Sequence, residues 1–279
     1  MEFRADLHCH SNCSDGTDSS IELLDKAKEV SLQGLSITDH DTLDAYTLET
    51  FDHAKKIGIQ LLSGIELSTQ LDKVSIHLLG YGIDLESTSF REFLSEIIKR
   101  RNDRNIQILE KLKKKGMSIS SQELNIELHR TIGRPHIAQL MVQKGYVANI
   151  QEAFEKYLND EGPCYVAGCK FTPLEAIEQI HQARGKAVLA HPHLIRQKSI
   201  LKKLLKLPLD GLECYYGNLY PSVEKYWLDL AKEKGLIATG GSDYHGSIKP
   251  HVTLGRSWVN RETFEVFFLK KGVSESDHD

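Results

Sequence analysis

The sequence predicts an α/β fold in which about seven strand–helix units close into a barrel, interrupted by an all-α insertion. Short apolar runs bounded by turn residues alternate with segments whose apolar residues recur at helical spacing, which is typical of parallel β/α units. About seven such units are better closed as a barrel than left as an open sheet. Between residues 88 and 163 the alternation stops and the pattern is helical.

The N-terminal part contains four predicted strands and two predicted helices. Apolar and polar side chains alternate over residues 2–8, as in a half-buried strand. Ser19 or Ser20 is expected to cap a helix over residues 21–30. The other predicted elements are a strand at 35–38, a helix at 43–57 ended by Gly58, and strands at 59–67 and 74–79.

The insertion is predicted to begin with a long basic amphipathic helix, followed by helical segments after Pro135 and around residues 153–158. Strand–helix alternation then resumes, with strands at 186–190, 211–215 and 236–239 and helices at 173–183 and 221–234. We therefore expect residues 1–87 and 164–279 to form the barrel that carries the functional site. Residues 88–163 are expected to form a helical insertion that covers this site.

Composition excludes several classes of protein. The 279 residues are 40% hydrophobic and 27% charged, as in ordinary globular proteins, and the net charge of −4 provides no global basic field for long nucleic acid. No apolar stretch approaches the roughly 20 residues of a membrane span, and no signal-peptide pattern opens the chain. We expect a cytoplasmic protein without an obligate protein partner. The five cysteines lack the spacing of a disulfide framework.

Six histidines and three acidic residues lie at the ends of apolar runs or just after them. In a β/α barrel the carboxyl ends of the strands meet in one place, so these side chains are expected to share a site. Taken singly, each histidine would more often be a structural residue, but six imidazoles and three carboxylates together suffice for two or three metal ions. Nitrogen and oxygen ligands without thiolates suit manganese, iron or zinc. The candidate ligands are His8, His10, Asp15, His40, Glu66, His77, His191, Asp243 and His245.

Several neighbours of these candidates are given other roles. Asp39 and Asp41 flank His40 and are expected to orient it or to cap a turn. Glu213 could orient a ligand or be purely structural, and Cys9 is expected to be a small buried hydrophobe.

A short motif in the insertion, Gly133-Arg134-Pro135-His136, favours anion binding. The planar guanidinium of Arg134 suits phosphate, and Pro135 fits the first turn of a helix, whose N-terminus also favours an anion. The alternative is a surface arginine beside a capping histidine. The basic stretch over residues 99–115 is expected to be a solvated helix face.

Taken together, these motifs resemble those of the polymerase and histidinol phosphatase (PHP) superfamily. The motifs that carry the resemblance are His8-x-His10, Asp15, Thr38-Asp39-His40-Asp41, Gly64-Ile65-Glu66, His77, Ala190-His191-Pro192 and Gly241-Ser242-Asp243-Tyr244-His245. The helical insertion, with residues 133–138, 153–154 and 157–158, resembles the branch that contains nucleoside 3′,5′-bisphosphate phosphatases and a related 5′→3′ exoribonuclease.

The resemblance implies a distorted (β/α)7 barrel, PHP-like, that holds two to three divalent ions, most commonly Mn²⁺, with Fe²⁺ or Zn²⁺ as alternatives. It assigns His8, His10, Glu66 and Asp243 to a first ion, Asp15, His40 and His245 to a second, and Glu66, His77 and His191 to a third. Arg134 and His136 would bind substrate phosphate. The loop after His191 departs from the family pattern, so whether His193 or Arg196 helps to bind phosphate is left open, as are the nucleoside contacts of Asn218.

The function that follows is a metal-dependent phosphoesterase. It is expected to hydrolyse the 3′-phosphate ester of 5′-phosphorylated nucleotides, to remove 5′-nucleotides from short oligonucleotides, or both, with His193 or a metal-bound water protonating the leaving group. Its partners would be a nucleotide or a short 5′-phosphorylated oligonucleotide. One alternative is a small-metabolite phosphatase such as a histidinol phosphatase. An alternative of another class is a non-catalytic PHP-like nucleic-acid-binding module, in which the ligands are usually eroded.

Overall fold

A computed structural model describes residues 2–124, 131–159, 162–167, 171–217 and 219–268. Its strands are β1 (Ala5–Cys9), β2 (Gly34–Ile37), β3 (Gln60–Leu61), β4 (Gly64–Leu71), β5 (Val74–Tyr81), β6 (Lys186–Leu189), β7 (Gly211–Tyr216) and β8 (Ile237–Gly241). Its helices are α1 (Ser20–Glu29), α2 (Leu48–Ile57), α3 (Thr88–Lys114), α4 (Arg134–Gln143), α5 (Ile150–Ala153), α6 (Pro173–Gln182), α7 (Lys198–Leu204), α8 (Pro221–Lys234) and α9 (Arg261–Glu265). A π-helical turn, Phe154–Leu158, follows α5.

The strands form two sheets, with the orders β1-β2-β3 and β4-β5-β6-β7-β8. The first sheet and the β6-β7-β8 part of the second are parallel, as predicted. Strand β5, however, is antiparallel to both β4 and β6, so the prediction of a parallel sheet throughout is wrong here. A tight turn causes the reversal, because Asp72 and Lys73 both adopt left-handed φ angles, 49° and 68°, between β4 and β5. The strand predicted at 59–67 is likewise two strands, which belong to different sheets.

Hydrogen bonds join the first sheet to the two edge strands of the second, β4 and β8. The segment after β2 pairs with β4 through a parallel bridge between His40 and Glu66. The end of β1 pairs with the segment after β8, where the N–H of Asp243 donates to the His8 carbonyl at 2.7 Å. The residues that follow β1, β2 and β8 are thereby held close to the first residues of β4.

Helix boundaries follow from capping residues. Ser19 accepts from the Glu22 N–H while the Glu22 carboxylate accepts from the Ser19 N–H, so Ser19 is the cap of α1. Helix α2 begins at Leu48 rather than at residue 43, because the Thr47 side chain caps it. It ends at Gly58, whose φ of 76° is readily adopted only by glycine.

Helix α3 takes part in two hydrophobic clusters. Its first half, including Phe90 and Ile97, packs with β4, β5 and α6. Its second half, including Ile108 and Leu112, packs with α4 and the segment after it. The structure shows no strand in the described parts of residues 88–163, although the division at residues 87/88 and 163/164 stays a prediction.

Two further expectations concern membranes and thiols. Within the described ranges, no helix is both long enough and apolar enough to span a bilayer. Cys9, Cys13, Cys164 and Cys214 are free thiols, and the fifth cysteine, Cys169, lies outside the described residues.

Candidate metal centre

Seven of the nine candidate ligands lie at or just after the carboxyl end of a strand, or in the loop that follows it. His8 is the penultimate residue of β1, and His191 and Asp243 each follow a strand by two residues. The expectation that every candidate lies at a strand end is wrong for Glu66 and His77, which lie within β4 and β5. His77 lies in the middle of β5, opposite Ser68 of the antiparallel strand β4.

Glu66 is the centre of the site. Its Oε1 lies 2.9 Å from both His77 Nδ1 and His191 Nε2. Its Oε2 lies 3.2 Å from His8 Nε2 and 3.1 Å from His10 Nε2, and His40 Nδ1 is 3.5 Å away. One buried carboxylate is thus surrounded by five imidazoles.

The side chains form three overlapping groups whose ligand atoms lie within 4.8 Å of one another, so that each group could hold a metal ion. The groups are His8, His10, Glu66 and Asp243; His10, Asp15, His40 and His245; and His40, Glu66 and His77. The first has the membership that the family resemblance implies for the first ion. The second adds His10 to the implied set, and the third contains His40 in place of His191. The individual ligand assignments stay predictions.

Opposite charges stabilise one another among the candidate ligands. Burial raises the pKa of the Glu66 carboxyl, but the imidazoles of His40 and His8 outweigh this effect and hold it well below its usual range. Burial lowers the pKa of His10, but the carboxylates of Asp243 and Glu66 outweigh it and raise the pKa to about 9. The carboxylates are therefore ionised at neutral pH, and His10 carries a proton.

The donor set fits a divalent metal. Both ring nitrogens of His10 and Nδ1 of His40 are buried and make no hydrogen bond of good geometry among the described residues, although His10 Nε2 lies 3.1 Å from the Glu66 carboxylate. Imidazole nitrogens and carboxylate oxygens surround this space, and the thiol of Cys9 instead donates to the Ser36 carbonyl. Such a set suits manganese, iron or zinc.

Left-handed backbone geometry is found beside the site. His191 has a φ of 28°, and Asp243 and Asp41 have φ angles of 55° and 56°. Such conformations cost about 1–3 kcal/mol and persist only where neighbouring groups enforce them. The Glu213 carboxylate accepts the His191 N–H at 2.6 Å, and the Glu66 carbonyl accepts the Asp41 N–H at 3.0 Å.

Three acidic residues orient the segments that carry the candidate ligands. Glu213 accepts a hydrogen bond from Nδ1 of His8 at 2.7 Å, which leaves Nε2 facing the site. Asp39 accepts from the N–H of Ser11 and from the Ser14 hydroxyl, fixing the loop before Asp15. Asp41, the third, accepts the N–H of Ser68 at 2.7 Å and pairs with Arg101.

Lys249 is a site residue that the sequence did not single out. Its Nζ lies 2.7 Å from Oδ2 of Asp243, which also accepts a hydrogen bond from the Tyr216 hydroxyl at 2.6 Å. The lysine lies in the turn after β8 without a recognisable motif around it. Its contact with Asp243 depends on the path of this turn, which the sequence does not indicate.

Two further predicted residues, His193 and Arg196, follow the candidate ligand His191 in the loop before α7. The ring of His193 is 4.5 Å from that of Tyr216, and burial, with the nearby His191, lowers its pKa. Arg196 is exposed just before α7. Asn218 lies outside the described residues.

A cleft of about 160 Å³ opens beside His40 and His77. It is lined by Ser14, Asp15, His40, Ser68, Thr69, Gln70, Ser75, His77, Arg101, Arg104, Thr131, Gly133, Arg134, Pro135, Phe154 and Tyr165. The helices α3 and α4 and the strands β4 and β5 all contribute to it. The cleft therefore joins the candidate metal ligands to the predicted phosphate-binding motif.

Arg134 and His136 differ in their surroundings. The Arg134 guanidinium packs against Phe154 and Tyr165, with centroid distances of 5.9 and 5.6 Å, and Nη1 donates to the Leu158 carbonyl. The ring of His136 accepts the Gly133 N–H at Nδ1 and lies 2.9 Å from the Ser14 carbonyl through Nε2. These contacts give His136 a positioning role, and its predicted contact with phosphate stays a prediction.

Two arginines of α3, Arg101 and Arg104, also line the cleft, so the expectation that residues 99–115 form a solvated face is wrong at these positions. The buried residues of α3 recur at helical spacing and include Arg101 and Asn105 as well as Ile97 and Ile108. Polar residues at positions of the apolar stripe are the signal that could have identified this part of the helix as inward-facing. Arg101 pairs with Asp41 and donates to the Ser68 hydroxyl at 2.6 Å.

Comparison with known proteins establishes the family. The profile of the PHP domain matches residues 6–255. The chain belongs to the PHP domain family. The predicted PHP resemblance is thus confirmed.

The PHP relatives include the 5′-3′ exoribonuclease Rnm of Salmonella typhimurium, 32% identical over 264 residues that cover 91% of this chain and 89% of the relative. The 3′,5′-nucleoside bisphosphate phosphatase of Chromobacterium violaceum is 30% identical over 248 residues, covering 86% of each chain. A Bifidobacterium adolescentis protein assigned as a metal-dependent phosphoesterase has a solved structure with a TM-score of 0.83 and 28% identity, covering 94% of both chains. The prediction that this PHP protein is a metal-dependent phosphoesterase is confirmed.

Proposed function

We propose that this PHP phosphoesterase hydrolyses the phosphate ester at the 3′ oxygen of nucleotides that carry a 5′-phosphate. The observation that carries the proposal is the arginine-lined cleft beside His40 and His77, which could hold one phosphate while a second lies at the candidate metal ligands. The two relatives named above act on a bisphosphorylated nucleoside and on RNA from its 5′ end, and both kinds of substrate can present two phosphates in this way.

The proposed metal centre holds two to three divalent ions, with manganese preferred over iron or zinc. His8, His10, Glu66 and Asp243 would hold the first, Asp15, His40 and His245 the second, and Glu66, His77 and His191 the third. When bound, such ions polarise a phosphoryl oxygen and lower the pKa of water. The proposed frame is a distorted (β/α)7 barrel of residues 1–87 and 164–279, supported by the bridges at both sheet edges, with residues 88–163 covering the site.

The chain's own residues bind and orient the substrate. Arg134 would bind the 5′-phosphate with its guanidinium, and His136 would hold the start of α4 against the segment that carries Asp15. His193, which lies beside Tyr216, would donate a proton to the leaving 3′ oxygen. Arg196 and Asn218 are the proposed further contacts to phosphate and nucleoside.

The same geometry serves both substrates. With the 5′-phosphate in the arginine-lined cleft, the cleaved ester lies one nucleotide away, at the 3′ oxygen. A mononucleotide bisphosphate then releases orthophosphate and leaves a 5′-monophosphate. An oligonucleotide releases its 5′-terminal nucleotide.

The test compares three substrates on manganese-loaded protein: adenosine 3′,5′-bisphosphate, a short RNA with a 5′-monophosphate, and histidinol phosphate. Chromatography of the products should show orthophosphate and 5′-AMP from the first, or stepwise release of 5′-nucleotides from the second. Preferential turnover of histidinol phosphate would overturn the proposal in favour of a small-metabolite phosphatase. Binding of RNA without turnover of any substrate would favour the non-catalytic module.

A further inference from the structure

Three guanidinium groups line the cleft, and they differ in how their charges are compensated. Arg101 forms an ion pair with the buried carboxylate of Asp41, which neutralises it. Arg134 has a carbonyl partner and two aromatic neighbours. Arg104 is the third, and its surroundings are unlike those of the other two.

Arg104 is a half-buried cation without a carboxylate partner in the part of the chain that the structure describes. Its Nε is buried and has no hydrogen-bond partner there. Nη2 donates a long hydrogen bond of 3.3 Å to the amide oxygen of Asn105. Burial, together with the neighbouring guanidiniums of Arg101 and Arg134, lowers the pKa of Arg104 to about 9.

This arrangement is unfavourable in the protein alone. Buried charges are normally paired, and an uncompensated one destabilises the fold. A structural arginine at this depth would be expected to meet a carboxylate, as Arg101 does, or to pair its buried Nε. An anion in the cleft would provide the missing hydrogen-bond acceptors and the missing charge.

We propose that Arg104 is a substrate-binding residue that, together with Arg134, binds a terminal phosphate dianion and so selects substrates with a free 5′-phosphate. The inference rests on the proposed function and adds to it a residue that distinguishes a terminal 5′-phosphate from an internal phosphodiester by its charge. A phosphomonoester carries a charge of about −1.5 to −2 at pH 7, and two guanidiniums match it with bidentate hydrogen bonds. An internal phosphodiester carries about half that charge, and two of its oxygens are esterified. It therefore offers fewer acceptors and less negative charge to the guanidiniums of Arg104 and Arg134.

The experiment uses Arg104→Met, which keeps the length of the side chain and removes its charge, and Arg104→Lys, which restores a single positive charge. Lys99→Met, at an exposed position of the same helix, is the matched control. The substrates are adenosine 3′,5′-bisphosphate and adenosine 3′-monophosphate, which differ only in the 5′-phosphate. Loss of a charged hydrogen bond predicts that Arg104→Met lowers kcat/KM for the bisphosphate about 10- to 100-fold, mainly through KM.

The expected results separate binding from folding. Adenosine 3′-monophosphate turnover should change less than threefold in Arg104→Met, Arg104→Lys should recover part of the loss, and Lys99→Met should match the wild type. Equal losses of activity on both substrates in Arg104→Met would overturn the inference while the proposed function stood. Thermal unfolding shows whether each variant folds, and Arg104→Lys provides the comparison if Arg104→Met does not.

A binding measurement tests the inference without catalysis. Calorimetry of the metal-free protein with 5′-AMP and with adenosine gives the contribution of the 5′-phosphate to affinity. Arg104→Met should lose most of that contribution, and Lys99→Met should keep it. If the wild type hydrolyses neither nucleotide substrate but Arg104→Met still loses 5′-AMP affinity, the proposed reaction fails and the phosphate site stands. If the wild type and Arg104→Met bind 5′-AMP with equal affinity, the inference is wrong.

Discussion

The carboxylate of Glu213 and the imidazole of His8 form a hydrogen bond of 2.7 Å from Nδ1 to Oε1, buried beneath the candidate metal centre. The second carboxylate oxygen of Glu213 accepts the N–H of His191 at 2.6 Å, where the backbone has a left-handed φ. One side chain therefore fixes the ring orientation of one candidate ligand and the backbone of another. From the sequence, Glu213 could either orient a metal ligand or be purely structural. These contacts support the orienting role.

Replacement Glu213→Gln should weaken metal binding while the protein remains folded. Glutamine keeps the size of the side chain, but its amide has one oxygen acceptor and no negative charge. It therefore cannot accept hydrogen bonds from both His8 Nδ1 and the His191 N–H, and the His8 ring loses its fixed orientation. Loss of such an orienting partner typically lowers metal affinity about 10- to 100-fold. Competition titration with a metal indicator measures this change. An affinity within twofold of the wild type would show that Glu213 is only structural.

Metal binding should release protons from the site. His10 has a pKa of about 9 in the metal-free protein, so its ring is protonated at pH 7, whereas a ligating imidazole must be neutral. Because the proton and the metal compete, affinity should rise with pH up to the pKa of His10. Calorimetry in two buffers with different heats of ionisation gives the number of protons released. A binding heat that does not depend on the buffer would contradict this prediction.

The variant Arg134→Ala should lose selectivity for 5′-phosphorylated substrates. The guanidinium packs against Phe154 and Tyr165 at the cleft and would supply charged hydrogen bonds to the proposed 5′-phosphate. We expect kcat/KM for adenosine 3′,5′-bisphosphate to fall about 10- to 100-fold and that for p-nitrophenyl phosphate to change little. Steady-state kinetics on both substrates measures the difference. Equal losses would mean that Arg134 acts through the fold.

The positions of the strand-end histidines could be predicted because the rule that places them is topological. Parallel strands present their carboxyl ends at one edge, so residues as distant in sequence as His8 and His245 are expected to meet there. The same rule could not place His77, because the direction of β5 depends on a tight turn at Asp72 and Lys73. This pair lacks the Asn-Gly or Asp-Gly signal of a two-residue hairpin turn.

Single inward-facing residues in polar segments were harder to predict. Arg104 lies among many other basic residues, and only the burial of neighbouring positions such as Arg101 shows that this face of α3 is turned inward. Lys249 meets Asp243 because a loop folds back, and a loop has no periodicity from which this could be inferred.

The variant His136→Phe should destabilise the protein more than it changes phosphate recognition. Phenylalanine fills the space but leaves the Gly133 N–H and the Ser14 carbonyl without the ring nitrogens that now face them. A buried polar group left unpaired costs about 1–3 kcal/mol, which corresponds to a fall in Tm of roughly 2–10 °C for a chain of this size. Thermal unfolding measures the effect. An unchanged Tm with a raised KM for the bisphosphate would instead assign His136 to the substrate.

The variant His193→Gln should reduce activity according to the leaving group. A ribose 3′ oxygen needs a proton as it departs, whereas p-nitrophenolate leaves readily without one. If His193 donates that proton, the rate on adenosine 3′,5′-bisphosphate should fall about 100-fold or more, and the rate on p-nitrophenyl phosphate less than tenfold. Measuring kcat for both substrates in the wild type and the variant tests this.

The pH profile gives an independent check of the same role. Burial and the nearby His191 lower the pKa of His193, so its protonated form is already depleted at neutral pH. Donation by this residue therefore predicts that the bisphosphate rate falls as pH rises through that lowered pKa, and that His193→Gln removes this limb of the profile. A variant that keeps the wild-type profile, or loses the same factor on both substrates, would exclude His193 as the proton donor and leave its contact with Tyr216 as a structural one.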